Sequence, residues 1–237
     1  MRLPWKFSAT KSKASVNKTP RDYSQHGEQP IILRYFSERQ SGYSRYFVDA
    51  GAFDGVVGSN SRALFELGWA GMVIEPNPRV FKRLAALYKS EPRVTCVNMA
   101  LSDHNETGVE MLFSVGPAGI KEEDKWQYGQ VSTLHGAFAE QFRRDHGYQY
   151  TPSRVDLTTL AELMGAYSSP LDLGFLSIDC EGEDLKVLQG AALNQFRPRL
   201  LCVECDDRSR NIYTEFLHGR YRYYDHTRGN TFFALLD

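Results

Sequence analysis

The sequence lacks any long apolar run, and no stretch of its 237 residues has the length and apolarity of a membrane-spanning helix. The N-terminus also lacks the apolar segment of a secretory signal, so we expect a cytoplasmic location. Charge of one sign is not in excess, because 28 Lys and Arg nearly cancel 29 Asp and Glu. This balance argues against nucleic acid as the main partner. The length suits one substantial domain.

Cysteine is scarce, with four in the chain. Cys202 and Cys205 form a C-x-x-C, but no second metal-ligand pair is present to complete a zinc site. The apolar run that contains them predicts a strand, on which this odd spacing sends the two thiols to opposite faces. We therefore expect all four cysteines to be small apolar residues in a reducing compartment.

Residues 1–22 hold six Lys and Arg among polar residues and show no periodicity, which predicts a basic, disordered tail. Residues 23–237 are predicted to form one α/β domain, because strand and helix patterns alternate and favour a mostly parallel, Rossmann-like seven-stranded sheet with helices on both faces. The tight connection 228–230 predicts a C-terminal antiparallel hairpin. A polar, aromatic segment at about 116–151 interrupts this rhythm and is predicted to be an insertion, or lid. A strand at 109–115 is expected at an edge of the sheet.

The first strand ends in a glycine turn, Val48–Gly55, that carries two acidic residues. In a doubly wound sheet, ligands bind beyond the carboxyl ends of the strands, and glycine lets the backbone approach them closely. A dinucleotide pyrophosphate prefers bare backbone N–H groups, whereas Asp49 and Asp54 favour a ligand with positive charge. S-adenosylmethionine offers an ammonium and a sulfonium, so the turn favours this ligand. The spacing also departs from G-x-G-x-x-G.

Two further strand ends extend the predicted cofactor site. Glu75 closes the second strand, where an acid is placed to bind both ribose hydroxyls. Ser102 and Asp103 follow the third strand and are candidates for the adenine edge, although either one suits a turn or helix cap equally well. The predicted cofactor site comprises Asp49, Gly51, Ala52, Asp54, Gly55, Glu75, Pro76, Ser102 and Asp103.

From about Tyr23 to the C-terminus, the chain resembles the FkbM family of methyltransferases. The matching segments are Ser24–Glu28, Phe47–Gly55, Gly68–Pro78, Ala100–Asp103, Ser177–Asp184, Val187–Gly190 and Val203–Glu204. The resemblance implies a class I methyltransferase fold, S-adenosylmethionine as donor and O-methylation of a sugar or natural product. Ser177 stands where the family commonly has lysine. Ser24–Glu28 belongs to the family pattern without core periodicity, so we expect it to fold over the site.

The acceptor side offers several candidates for the general base. Asp179 and Glu181 end the central strand, but an exposed carboxylate is a weak base for a hydroxyl. A histidine, His135 or His26, is one remedy, and a divalent metal is the other. Asp179 with Glu204 and Asp206 (or its neighbour at 207) would form an all-oxygen site suited to Mg²⁺ or Mn²⁺.

Two other functions compete with methyl transfer. An NAD-dependent oxidoreductase predicts a phosphate turn without acids, which Asp49 and Asp54 contradict. A non-catalytic nucleoside-binding module on the same fold is the second, and the presence of Asp49, Gly51, Glu75 and Asp179 together argues against it. We expect a small-molecule or glycan acceptor. Its identity and the oligomeric state are open.

Overall fold

The computed structural model describes residues 20–39, 41–205 and 208–236, so most of the predicted basic tail lies outside the described residues. The strands are β1 (Ser44–Ala50), β2 (Ala70–Ile74), β3 (Val94–Val97), β4 (Ala100–Ser102), β5 (Glu106–Pro117), β6 (Tyr148–Thr159), β7 (Leu173–Ile178), β8 (Leu200–Glu204), β9 (Tyr221–His226) and β10 (Asn230–Leu235). The helices are α1 (Glu28–Glu38), α2 (Arg62–Glu66), α3 (Pro78–Leu87), α4 (Gly136–His146), α5 (Leu160–Ala166), α6 (Asp184–Gln189) and α7 (Arg210–Leu217), with a 3₁₀ segment at Glu122–Val131.

Seven strands form one twisted sheet in the order β3-β2-β1-β7-β8-β10-β9. All neighbours are parallel except β10, which runs antiparallel to both β8 and β9. The predicted Rossmann-like fold with a C-terminal antiparallel hairpin is therefore confirmed. The strand order reverses between β1 and β7, and such a reversal opens a crevice at the carboxyl ends of the two strands.

Two apolar layers cover the sheet, because successive side chains of a strand point to opposite faces. Phe47 packs in one layer with residues of α1, α2 and α3, and Val48 packs in the other with residues of α5, α6 and α7. Cys202 and Cys205 lie in opposite layers as free, buried thiols, as their spacing predicts. Within the described part of the chain, no helix combines the length and apolar character needed to cross a membrane.

Residues 109–115 form an edge strand, as predicted, but it belongs to a separate sheet and not to the main one. These residues belong to β5, which pairs antiparallel with β6 in a separate three-stranded sheet completed by β4. This sheet has its own small core around Met111, Phe113 and Leu157, so its strands bury their apolar face without joining the main sheet. The predicted insertion falls at the tip of this hairpin, where it contains the 3₁₀ segment and α4.

Candidate active site

The glycine turn after β1 is held tightly between two neighbouring strand ends. Gly51 and Ala52 donate backbone hydrogen bonds to the Ile74 carbonyl at 3.0 and 2.9 Å, and Asp179 N donates to Ala50 O at 2.9 Å. Gly51 has a φ of 84°, and a Cβ there would lie 1.7 Å from the Asp179 carbonyl oxygen. Only glycine fits this position, which lets the turn open directly onto the crevice between β1 and β7.

A cavity of about 510 Å³ occupies that crevice, and its volume is typical of small-molecule sites. It is bounded by the strand ends below, by the 3₁₀ segment and α4 of the insertion, and by the segment before α1. The predicted site residues that line it are Asp49, Gly51, Ala52, Glu75, Pro76, Asp179, Glu181 and Glu204. The structure therefore brings most of the predicted cofactor and acceptor residues to one space.

Glu75 lies at the end of β2 with its carboxyl group buried against the glycine turn. Its two oxygens accept hydrogen bonds from Phe53 N at 3.1 Å and from Asn77 N at 2.8 Å. Burial raises the pKa of Glu75 to about 8, more than these two hydrogen bonds lower it. The side chain is thus fixed in orientation, and each oxygen keeps a lone pair for a ligand hydroxyl.

Asp49 is equally enclosed, one residue before the end of β1. Ser61 Oγ donates a 2.5 Å hydrogen bond to its Oδ2, and burial raises the pKa of Asp49 to about 6. No lysine or arginine among the described residues lines the cavity beside it. A cationic ligand would supply the missing positive charge.

Two residues predicted for the cofactor serve the turn instead. Asp54 Oδ1 accepts hydrogen bonds from Val56 N and Val57 N at 2.9 and 2.8 Å, an arrangement that closes the loop on itself. Gly55 packs against α3, where a Cβ would lie 2.8 Å from Leu84 Cδ1. Neither residue lines the cavity. The carboxylate of Asp54 and the small size of Gly55 both contribute to the shape of the turn.

Ser102 and Asp103, the predicted adenine contacts, do not line the cavity, whereas the preceding residue Leu101 does. Ser102 is buried and donates a 2.8 Å hydrogen bond to Glu183 Oε2. Asp103 is exposed and pairs with His104 Nδ1 at 2.6 Å, which lowers the pKa of Asp103. A role for either residue in adenine binding remains a prediction.

Asp179 and Glu204 end the adjacent strands β7 and β8, and their carboxyl groups hydrogen-bond to each other. Burial, with Asp184 nearby, raises the pKa of Asp179 to about 7. Burial and the neighbouring Asp179 raise the pKa of Glu204 to about 11. At neutral pH Glu204 is therefore protonated and donates to Asp179, as expected for two carboxyl groups that share one proton.

This pair is also the core of the predicted metal site. Its third ligand, Asp206, lies outside the described residues. In the described ranges, no group of three or more His, Cys, Asp or Glu side chains is placed to hold a metal ion. The Mg²⁺ or Mn²⁺ site therefore stays a prediction.

Glu181 occupies a strained turn just after β7. It has a φ of 51°, a left-handed conformation that is uncommon outside glycine and often marks functional sites. Thr133 Oγ1 of the insertion donates a 2.9 Å hydrogen bond to the Glu181 carbonyl oxygen. The side chain lines the cavity, where burial and the nearby Asp179 raise its pKa well above its ordinary range.

His135, a predicted candidate base, begins α4 and does not line the cavity. Its Nε2 lies 2.8 Å from Oε1 of the buried Glu183, and Lys186 Nζ lies 3.0 Å from the same oxygen. Its ring also packs on Gly182. The histidine thus connects the insertion to the turn after β7, whereas His26, the other candidate, lines the cavity.

Sequence reasoning missed the polar residues that side-chain packing brings to the cavity. Asn60 Nδ2 donates to Ser177 Oγ at 3.1 Å, and its buried Oδ1 has no hydrogen-bond partner. Asn230 reaches the cavity from the C-terminal hairpin. The Gly58-Ser59-Asn60 loop after the glycine turn was the available signal for Asn60, but nothing local marks Asn230.

The segment before α1 is anchored over one side of the cavity, as the family pattern led us to expect. Glu28 is fully buried and accepts hydrogen bonds from Thr227 Oγ1 at 2.6 Å and Asn230 Nδ2 at 3.2 Å. These bonds attach it to the C-terminal hairpin. Gln25 and His26 then line the cavity.

Comparisons with known proteins agree with this architecture. Residues 49–229 match the family model described as "Methyltransferase FkbM domain". No curated protein matches the sequence significantly. Among solved structures, the METTL16 MTase domain is 11% identical with a TM-score of 0.45, and the match covers 88% of this chain but only 66% of that domain.

Two microbial structures give similar matches. Precorrin-6y C5,15-methyltransferase from Geobacter metallireducens is 12% identical with a TM-score of 0.41, and the match covers 94% of each chain. A putative RNA methyltransferase from Pyrococcus horikoshii is 11% identical with a TM-score of 0.40, covering 91% of this chain and 89% of that one. Likenesses this distant carry no argument about substrates.

Proposed function

Because the chain belongs to the FkbM-domain methyltransferase family, we propose that it binds S-adenosylmethionine in the 510 Å³ cavity and methylates a hydroxyl of a sugar, glycan or natural product. The observation that carries this proposal is the acidic lining of the cavity. None of the described lysines or arginines lines the cavity, whereas six acidic side chains do. These are Asp49, Glu75, Asp179, Glu181, Glu183 and Glu204.

The same acidic lining argues against the alternative that the protein is an NAD-dependent oxidoreductase. A pyrophosphate in this cavity would lie against buried carboxyl groups whose pKa values are already raised, and its charge would raise them further. A sulfonium and an ammonium would have the opposite effect. Glu75, with both oxygens oriented by backbone N–H groups, is then placed to accept the ribose hydroxyls.

When bound, the donor supplies a methyl group that moves in line from sulfur to the acceptor oxygen, as the S–C bond breaks and the O–C bond forms. We propose that Asp179 is the base that takes up the proton of the acceptor hydroxyl. A buried carboxyl with a pKa of about 7 is a stronger base than an exposed one and is half ionised near neutral pH. Protonated Glu204 orients it through their hydrogen bond, and Glu181 is placed to position the acceptor.

Calorimetric titration tests the donor assignment. We expect S-adenosylmethionine to bind and NAD to produce no heat. Glu75→Ala should weaken donor binding by about 1–3 kcal/mol, or roughly five- to more than 100-fold, because a buried hydrogen-bonding group is lost.

Glu215→Ala is the matched control, since Glu215 is exposed on α7 and should leave the dissociation constant unchanged. No donor binding at millimolar concentration by the unaltered protein would reject the proposed function. Equal binding by Glu75→Ala and Glu215→Ala would remove Glu75 from the site.

A further inference from the structure

We propose that the acceptor is a sugar residue without phosphate or carboxylate, already attached to a glycan or another aglycone, and that sugar phosphates and nucleotide-activated sugars are excluded. This inference rests on the proposed function and specifies its substrate. The reaction that supplies the substrate is then a glycosyl transfer, and methylation follows it.

The first argument is that none of the described lysines and arginines lines the cavity in which the acceptor would bind. Asp179, Glu181 and Glu204 surround the point where the central strands end, and none of the described lysines or arginines lines the cavity. Lys186 pairs with the lining residue Glu183 from outside the cavity and is about half exposed. A phosphate on the anomeric carbon shares a small ring with the reacting hydroxyl, so it would remain close to Asp179, which must be ionised to act as the base and would repel it.

The second argument is the hydrogen-bonding character of the polar groups in the cavity. Asn60 is more than nine-tenths buried, lines the cavity, and its Oδ1 has no hydrogen-bond partner. This oxygen, like an ionised carboxylate, can only accept. It requires a ligand that donates, such as a hydroxyl or an ammonium, and it offers nothing to a phosphate oxygen. Phosphate sites in proteins instead present Arg, Lys or backbone N–H groups.

The third argument is the aromatic part of the cavity wall. Phe138 and Phe142 of α4 and Tyr148 of β6 line the cavity. The two phenylalanine rings lie 4.8 Å apart between centroids, and Phe142 lies 5.9 Å from Tyr148. The hydrogen bond from the insertion to Glu181 O keeps this wall next to the turn that follows β7. A sugar ring has an apolar face that can pack on such an aromatic surface, and it has hydroxyls that can hydrogen-bond to the carboxyl groups lining the same cavity.

The experiment compares matched acceptors with the full-length chain and tritiated S-adenosylmethionine. Each of glucose, galactose, mannose and fucose is supplied as its methyl glycoside and as its 1-phosphate, and a short single-stranded RNA is included. For any sugar that is methylated, we expect kcat/KM to be at least about tenfold higher for the glycoside than for the 1-phosphate. Glu181→Lys should narrow this ratio because it places a cation in the cavity beside the phosphate, whereas Glu215→Lys on the surface should not change it.

A 1-phosphate that reacts as well as its glycoside would overturn the proposal, as would methylation of the RNA without methylation of any sugar. Donor binding without product from any sugar form would also overturn it, while leaving the donor assignment intact. Failure to bind the donor would instead show that the proposed function itself is wrong, and the acceptor assignment would end with it.

Discussion

Asp179 and Glu204 form a buried pair whose two carboxyl groups differ in protonation at neutral pH. The pKa of Asp179 is raised to about 7 and that of Glu204 to about 11, so a single proton resides on Glu204 at neutral pH. The shared proton also orients the Asp179 oxygen that faces the cavity. Burial therefore removes the objection that a carboxylate is too weak a base for a hydroxyl.

We expect Asp179→Asn to lower kcat by about 10²–10⁴-fold, because the amide cannot take up the acceptor proton. Donor affinity should change far less. In the unaltered protein the rate should rise with pH and level off above about pH 7, since the base must be ionised. Initial rates from pH 5.5 to 9 provide the measurement.

Glu204→Gln is the matched control for this substitution, because a neutral amide replaces a protonated carboxyl that donates to the same partner. It should retain most of the activity. Normal turnover by Asp179→Asn would exclude Asp179 as the base, and an inactive Glu204→Gln would show that Glu204 takes part in the proton transfer.

Among the secondary-structure elements, the insertion contacts the turn after β7 through Thr133 and His135. Thr133 Oγ1 donates to Glu181 O and accepts from His135 N at 3.0 Å, and His135 in turn contacts the buried Glu183. Thr133 and His135 precede α4, and α4 contributes Phe138 and Phe142 to the aromatic part of the cavity wall. The insertion and the strained turn therefore hold each other in place.

Thr133→Val should lower the free energy of unfolding by about 1–3 kcal/mol, because it leaves the partly buried Glu181 carbonyl and His135 N–H group without their partner. It should also raise KM for the acceptor more than it changes donor affinity. Thr151→Val, an exposed substitution on β6, is the control. Urea unfolding and acceptor kinetics measure the two effects, and equal behaviour of the two variants would show that this contact does not hold the insertion.

For the molecule as a whole, the acidic cavity opposes stability near neutral pH. Burial raises the pKa values of Asp49, Asp179 and Glu75 to about 6, 7 and 8, from ordinary values near 4. The folded state thus holds these protons more tightly than the unfolded state does. The stability they contribute is complete below about pH 4 and is lost as pH rises through 6 to 8.

The ligand-free protein should therefore lose on the order of 6 kcal/mol of unfolding free energy between pH 5.5 and 8.5, because each pH unit below a group's folded-state pKa accounts for about 1.4 kcal/mol. S-adenosylmethionine should reduce this loss, because its positive charge favours the ionised carboxyl groups. S-adenosylhomocysteine, which lacks the sulfonium, should reduce it less. Urea unfolding at both pH values, with and without each ligand, measures the effect. A stability that rises over this range would contradict the assigned titrations.

The sequence by itself determined the order and type of most elements in the main sheet. Alternating apolar residues, the glycine turn after β1 and the tight connection at 228–230 act over a few neighbouring residues, so they can be recognised without the fold. The same local patterns identified Glu75, Asp179 and Glu181 as cavity residues, because the end of a parallel strand specifies where its next side chain lies.

Only the tertiary structure decided which polar groups line the cavity. Asp54 and Ser102 matched the expected positions but bond to protein groups, whereas Asn230 arrives from the far end of the chain. The separate sheet of β4, β5 and β6 and the proton shared by Asp179 and Glu204 were equally hidden. Side-chain direction depends on contacts between distant elements, and a raised pKa depends on how completely the assembled fold excludes water.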